Sequence, residues 1–214
     1  MKIHEVQNKN KHLEIFEIKN KRFCPYGRLL KSYDISELEQ FAKEHIAVPK
    51  EGSSYTVSIP KMEKLSVIQS IFKDVYAGME AQAGVCTGQN KQLTGIEFHQ
   101  GSETVIALKD CVLILGKKQD MKGETYEGTL TECFFIEKGQ IVELYDTTLH
   151  YAPCNTEDYF MTIVILLKGT NEPLENAKGL VTKKNKWFIT HPSIEAKVKA
   201  GCVVGLLGEV KTIN

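Results

Sequence analysis

From about residue 80 onward the periodicity of the chain changes. Short alternating or continuous apolar runs at 81–87, 93–99, 103–108, 111–115, 131–137, 140–145 and 159–167 follow one another, separated by Gly, Asn and charged turns. Successive side chains on a strand point to opposite faces, so a series of short strands can bury its apolar residues in few ways: two stacked sheets or a closed barrel. A mainly β core is expected over this stretch.

The flanking segments read differently. Asp34 with Glu37 and Ser36 with Glu39 form overlapping capping boxes ahead of Leu38, Phe41 and Ala42, which predicts a helix over about 36–45. Tyr55, Val57 and Ile59 alternate with polar residues as a short strand ended by Pro60, and Leu65, Ile68, Phe72, Val75 and Met79 fall on one helical stripe suited to core packing. Beyond 168 the pattern gives a strand around Lys186-Trp187-Phe188-Ile189, with Trp187 as a packing residue. A helix starting at Ser193 and an apolar run from Cys202 to Leu207 that packs back on the core complete the tail. No repeat or low-complexity linker appears. The chain therefore divides into an N-terminal extension (1–79), a β core (80–171) and a C-terminal extension (172–214) of one structural domain.

A chain of 214 residues with 42% hydrophobic content can bury one substantial core. Its 27 basic and 27 acidic residues cancel, so no global field draws nucleic acid or anionic lipid, and neither is an expected partner. The start, MKIHEVQNKNKHLE, is too polar for a secretory segment, and the apolar run Ile163–Leu167 is far too short to span a membrane. Six cysteines contain no C-x-x-C pair, and several sit inside apolar runs as small buried thiols. A cytoplasmic protein is expected.

Chemistry concentrates in Gly95-Ile96-Glu97-Phe98-His99-Gln100-Gly101-Ser102-Glu103. Strand alternation puts Glu97 and His99 on one face and Ile96 and Phe98 on the other, and the Gln100-Gly101 turn can return Glu103 alongside His99. Carboxylates and an imidazole on a half-buried sheet are costly unless protonated, paired or bound to a cation. A second imidazole, His150, lies after a strand and a turn. His4, His12 and His45 sit in polar or helical surroundings, and His191 before Pro192 is a weaker candidate. The alternative to metal ligation is a hydrogen-bonded polar cluster. Lys168, ending a strong strand before Gly169-Thr170-Asn171, is either a solvated lysine or a substrate contact, and Glu143, Tyr145 and Tyr151 include at least one cavity-lining residue.

These two segments resemble the paired motifs of the cupin superfamily. Glu97, His99 and Glu103 fall on the His-x-His and Glu positions of its first motif, with Glu97 in place of a histidine. Gly139 and His150 keep the separation of the second, in which Tyr145, Thr147 and Cys154 replace the usual Pro, Gly and Asn. The chain is more closely similar to an uncharacterised bacterial family of single-cupin proteins, a domain of unknown function. That similarity runs through Glu97-x-His99-x-x-x-Glu103, Thr148-Leu149-His150-Tyr151-Ala152-Pro153-Cys154 and Lys168-Gly169-Thr170-Asn171. The resemblance implies a cupin-type double-stranded β-helix barrel with N-terminal helices and a C-terminal extension. It further implies a divalent metal (Zn, Mn, Fe, Ni or Co) held by His99, Glu103 and His150, with Glu97 as catalytic base or fourth ligand. Lys168, Glu143 and Tyr151 are the substrate-binding candidates. Cupins of this kind act on a small-molecule substrate and often pair through sheet edges, so a homodimer is expected. The implied activity is isomerisation of a small polar carbohydrate or hydroxy or keto acid by proton abstraction next to a carbonyl. The alternatives are a lyase similar to ureidoglycolate lyases, an oxygen-dependent dioxygenase if the metal is iron, or a non-catalytic carbohydrate-binding or regulatory module.

Overall fold

The computed structural model describes residues 1–214. One sheet contains β2 (Gly27–Leu30), β3 (Ser53–Thr56), β4 (Ala81–Gly88), β6 (Glu103–Ala107), β10 (Ile141–Leu144) and β13 (Phe160–Leu167), in the order β2-β10-β6-β13-β4-β3. A second holds β1 (Ile15–Glu17), β7 (Cys111–Lys117), β9 (Glu132–Ile136), β11 (Thr148–Leu149) and β12 (Cys154–Asn155), with β7 central. A third is built from β5 (Gly95–Phe98), β14 (Val181–Lys183), β15 (Lys186–Thr190) and β16 (Val203–Val204), and β8 (Tyr126–Glu127) pairs with β17 (Leu206–Leu207). The fold is mainly β, arranged as facing sheets in the manner of a jelly-roll sandwich; its hydrogen bonding is divided among these sheets and does not run round one continuous barrel.

Alternation along the strands builds three apolar layers. On the outer face of the six-stranded sheet, Val85, Ile106, Ile141, Ile163 and Ile165 pack against helices α2 (Ser36–His45), α3 (Pro60–Glu63) and α4 (Ser66–Asp74) through Leu38, Met62, Ile68 and Ile71. Between the sheets, Val105, Val142 and Leu144 meet Leu113, Leu115, Phe134 and Ile136. Behind the second sheet, Val112, Ile114 and Phe135 join Ile96 and Phe98 of β5, Ile189 of β15 and Val6 of α1 (Ile3–Lys9). Residues that follow one another along a strand thus enter different layers, which is why β6, β7 and β13 read as nearly continuous apolar runs.

The extensions are woven into these sheets. β1 lies parallel to β9, β2 antiparallel to β10 and β3 antiparallel to β4, while β15 pairs with β5 and β17 with β8. Three local readings are corrected. The helix expected over about 36–45 is α2, Ser36–His45, but its entrance is closed by Asp34 accepting hydrogen bonds from the Ser36 amide (2.9 Å) and hydroxyl (2.6 Å), not by a capping box. The strand expected at 55–59 is Ser53–Thr56. The long stripe is broken: Pro60 opens the short α3, and α4 stops at Asp74 because Ala77 and Gly78 take left-handed conformations, leaving Met79 56% exposed. A short helix, α5 (Glu195–Lys199), precedes β16, all six cysteines are free thiols, and no helix is long and apolar enough to cross a membrane.

Phe134 anchors the layer between the sheets, its ring 5.3 Å from that of Phe23 and 5.2 Å from that of Tyr26. Phe134→Ala is expected to lower unfolding free energy by about 3–5 kcal/mol, the usual range for emptying a fully buried aromatic site, with urea denaturation as the measurement.

Candidate metal centre

The segment 97–103 does not fold as a hairpin. β5 hydrogen-bonds to β15 whereas β6 lies between β10 and β13, so the chain crosses from one sheet to another between His99 and Ser102. Gly101 makes the crossing possible: its φ is +83°, and a Cβ there would lie 2.7 Å from Leu167 Cδ1. Glu97 and His99 face inward and Ile96 and Phe98 outward, as alternation requires, and Glu103 enters from the first residue of β6. His150 is joined to Glu97 by a pair of backbone hydrogen bonds, Glu97 N–H to His150 carbonyl at 2.8 Å and His150 N–H to Glu97 carbonyl at 3.0 Å. In such an antiparallel pair the two side chains project to the same side, about 5.5 Å apart at Cα.

Four ionisable side chains therefore converge. His150 Nε2 lies 3.2 Å from Glu103 Oε2, and His99 Nε2 lies 3.7 Å from both Glu103 Oε2 and Glu97 Oε1. Glu97, His99 and His150 each bring one ligand atom within 4.8 Å of the others. Both rings are fixed from behind. His99 Nδ1 is 2.8 Å from the Asn185 carbonyl and His150 Nδ1 is 3.0 Å from the Thr148 carbonyl. A carbonyl can only accept, so each Nδ1 carries the proton. Each Nε2 is buried without a hydrogen bond and turned toward the carboxylates. A backbone carbonyl holding Nδ1–H while Nε2 faces an anionic site is how metal-ligating histidines are oriented, and the donor set fits a borderline divalent cation.

Electrostatics agree with that fit. Burial would raise the Glu97 carboxyl, but the Lys186 ammonium, ion-paired with it, and the His99 and His150 rings outweigh burial and hold Glu97 well below the usual carboxylate range. Burial pushes His150 down, and Glu103, helped by Glu97, overrides it and raises the ring to about 9. Two buried carboxylates demand positive charge. Lys186 supplies some of it, and the rest comes either from a proton on His150 Nε2 or, in place of that proton, from a divalent ion.

The cluster lies in the wall of a cavity of about 210 Å³ between the sheets, large enough for a small ligand or several waters. Of the sequence-derived candidates, Glu97, Glu103, His150 and Tyr151 line it, and His99 is buried in the cluster beside it. Glu143 does not reach it: the residue shares the helix-facing side of the sheet with Ile141 and pairs with Arg28 at 2.6 Å. Lys168 is also elsewhere, exposed beside Glu80 at 3.5 Å. His191 holds the Ser193 hydroxyl and the Gly208 carbonyl at the surface. Sequence reading missed Lys186, Tyr55 and Asn171, all in the cavity wall, and Lys197, whose ammonium donates to the Tyr151 hydroxyl at 2.6 Å. It also missed Asn185. That side chain clasps the Gln100 backbone at 2.9 and 3.0 Å while its own carbonyl holds His99.

Several solved structures are similar to this chain. A cupin domain from Bordetella pertussis is 13% identical, covering 57% of this chain and 99% of its own, with a TM-score of 0.35. An oxidoreductase of the 2OG-Fe(II) oxygenase family from Burkholderia pseudomallei is 10% identical over 72% of this chain and 93% of its own, with a TM-score of 0.42. The oxalate decarboxylase of Bacillus subtilis is 9% identical over 45% of this chain, with a TM-score of 0.31, and the match spans 24% of the decarboxylase. Likeness at these scores leaves the reaction open. No curated protein matches the chain in sequence. The profile of one family does match, over residues 15–211, and with nearly the whole length covered the chain belongs to the family described as domain of unknown function DUF4867.

Proposed function

We propose that this protein is a metal-dependent enzyme that isomerises a small oxygenated substrate, a sugar or a hydroxy or keto acid, by moving a proton next to a carbonyl. The observation that carries this reading is the convergence of two unpartnered Nε2 atoms and two carboxylates on the wall of a small cavity. His99, Glu103 and His150 would hold the ion. Bound there, a divalent cation supplies Lewis acidity toward a substrate oxygen.

The remaining work falls to this chain's own side chains. Glu97 stands beside the ligand set with one oxygen toward His99 and the other on Lys186, placed to take a proton from a substrate carbon and return it to a neighbouring one. Pairing with Lys186 keeps Glu97 ionised at rest and weakens it as a base; a substrate oxygen that attracts the ammonium restores its strength. The freed ammonium then faces the oxygen on which negative charge develops. Val105, Leu113, Leu144 and Val164 form the apolar part of the wall and limit the water that could compete for the proton.

His99→Ala and His150→Ala are each expected to abolish stoichiometric metal while leaving the circular dichroism spectrum intact. Wild-type protein that stays metal-free by elemental analysis after reloading would overturn the site. Asn185→Ala, which releases the clasp behind His99, is expected to weaken metal affinity about 10–100-fold, the usual effect of losing support behind a ligand, as read by competition with a chelating dye. Glu97→Gln is expected to keep the metal and lose solvent-deuterium exchange into a panel of free aldoses, ketoses and hydroxy acids, followed by NMR. Loss of metal instead would make Glu97 a ligand. Absence of exchange into every compound with wild-type protein would remove the isomerase reading and favour a lyase or a binding module.

A further inference from the structure

Two polar side chains of the cavity wall keep hydrogen-bonding capacity unused. The Asn171 amide stands against the Tyr55 oxygen, while the Tyr55 hydroxyl proton and the Asn171 side-chain oxygen, both buried, have no hydrogen-bond partner. Asn171 is 4% exposed, and both residues line the same cavity as Glu97, Glu103 and His150. A buried polar atom with no partner lowers stability, so a fold that retains two in one wall has a use for them. Neither belongs to the metal cluster, and they come from distant parts of the chain: Tyr55 from β3 on the edge of the six-stranded sheet, Asn171 from the turn after β13.

Their chemistry is specific. Asn171 offers an acceptor, and the phenol of Tyr55 can donate as well as accept. An alcohol hydroxyl satisfies both at once, giving its proton to Asn171 and taking the proton of Tyr55. A phosphate has no proton of this kind to give, and it is excluded a second way. Lys186 is the lysine of the cavity wall, no arginine lines it, and Lys186 is already neutralised by Glu97. Glu103 offsets one charge of a divalent ion, so the site balances about one negative charge on its ligand, short of the roughly −1.5 to −2 of a phosphomonoester.

We propose that Tyr55 and Asn171 form a hydroxyl-reading subsite, and that the ligand is a small unphosphorylated molecule with an α-hydroxy carbonyl or carboxylate at one end and a further free hydroxyl at the other. This rests on the reading of the cavity as a metal-dependent site. Tyr55 and Asn171 set which molecule is accepted.

The test uses Mn(II)-loaded protein, with metal content measured on the same sample, titrated calorimetrically with glycerate, erythronate, lactate and 3-phosphoglycerate. Glycerate or erythronate is expected to bind about tenfold more tightly than lactate, which lacks the second hydroxyl, in line with one neutral hydrogen-bonded contact. 3-Phosphoglycerate is expected not to bind. Tyr55→Phe and Asn171→Gly should erase the preference while lactate affinity stays unchanged; glycine suits the left-handed backbone of Asn171, whose φ is 69°. A stability readout is independent of binding: Tyr55→Phe removes a hydroxyl whose proton is unpartnered, so the ligand-free variant should melt no lower than wild type. A lower melting temperature, a hydroxyl preference that survives both substitutions, tight binding of 3-phosphoglycerate, or no binding of any hydroxy acid by loaded protein would each overturn the subsite while leaving the metal site standing. Failure to take up Mn(II), and then Zn(II), Fe(II), Ni(II) or Co(II) offered in its place, would overturn both.

Discussion

Two backbone hydrogen bonds between Glu97 and His150 join a strand of the third sheet to the segment that leaves the second. Strand sheets leave side chains on adjacent rungs little freedom, so this junction decides that a carboxylate and an imidazole stand side by side facing inward. Glu103 is then brought in from the six-stranded sheet because the crossing at Gly101 is too short to let it go elsewhere. The cluster is thus a corner at which three sheets meet, and the geometry of its four ionisable groups follows from backbone pairing before any side chain interacts.

Such a corner is electrostatically expensive. Glu103, His99 and His150 are all at least nine-tenths buried, and a buried ion pair seldom adds net stability over an apolar replacement of the same volume. The protein nonetheless invests two loops in holding the rings: the Thr148 carbonyl on His150 and the hairpin turn at Lys184–Lys186 on the other side. That turn places the Asn185 carbonyl on His99, the Asn185 amide on Gln100 and the Lys186 ammonium on Glu97 within consecutive residues. Both rings are thus held from behind with Nε2 toward the carboxylates, the arrangement that the proposed ligation calls for.

The core strands, and the division of Glu97 and His99 from Ile96 and Phe98, were legible because period-two alternation is a local property of the chain. The same rule had no purchase on Glu143. Ile141, Val142 and Leu144 are buried on both faces of a central strand, so nothing in Ile141-Val142-Glu143-Leu144 says which face is the cavity, and Glu143 falls on the helix side. Lys168 is adjacent in sequence to a buried strand and yet exposed, because the chain turns at Gly169 immediately afterwards. Lys186, Tyr55 and Asn171 lie in segments with a readable local pattern, but nothing local directs their side chains to the cavity. Lys186 reaches Glu97 through the pairing of β15 with β5, and Tyr55 reaches the cavity through the pairing of β3 with β4, both long-range registers that periodicity does not encode.

The presence of a cavity between sheets that elsewhere pack tightly has a cause in side-chain size. At one end the space is filled by Phe23, Tyr26, Phe134 and Phe160. Toward the cluster the inward positions of β4 and β13 carry Gly84, Cys86, Thr162 and Val164, which are too small to meet the opposing sheet. Gly84 does more than leave room. A Cβ there would lie 2.0 Å from the Thr56 carbonyl oxygen, so a side chain would push β3 away from the strand it pairs with and take Tyr55 out of the wall. The void and one of the residues that line it therefore depend on the same missing methyl group, which ties the N-terminal segment to the chemistry as closely as the hairpin at Asn185 ties the C-terminal one.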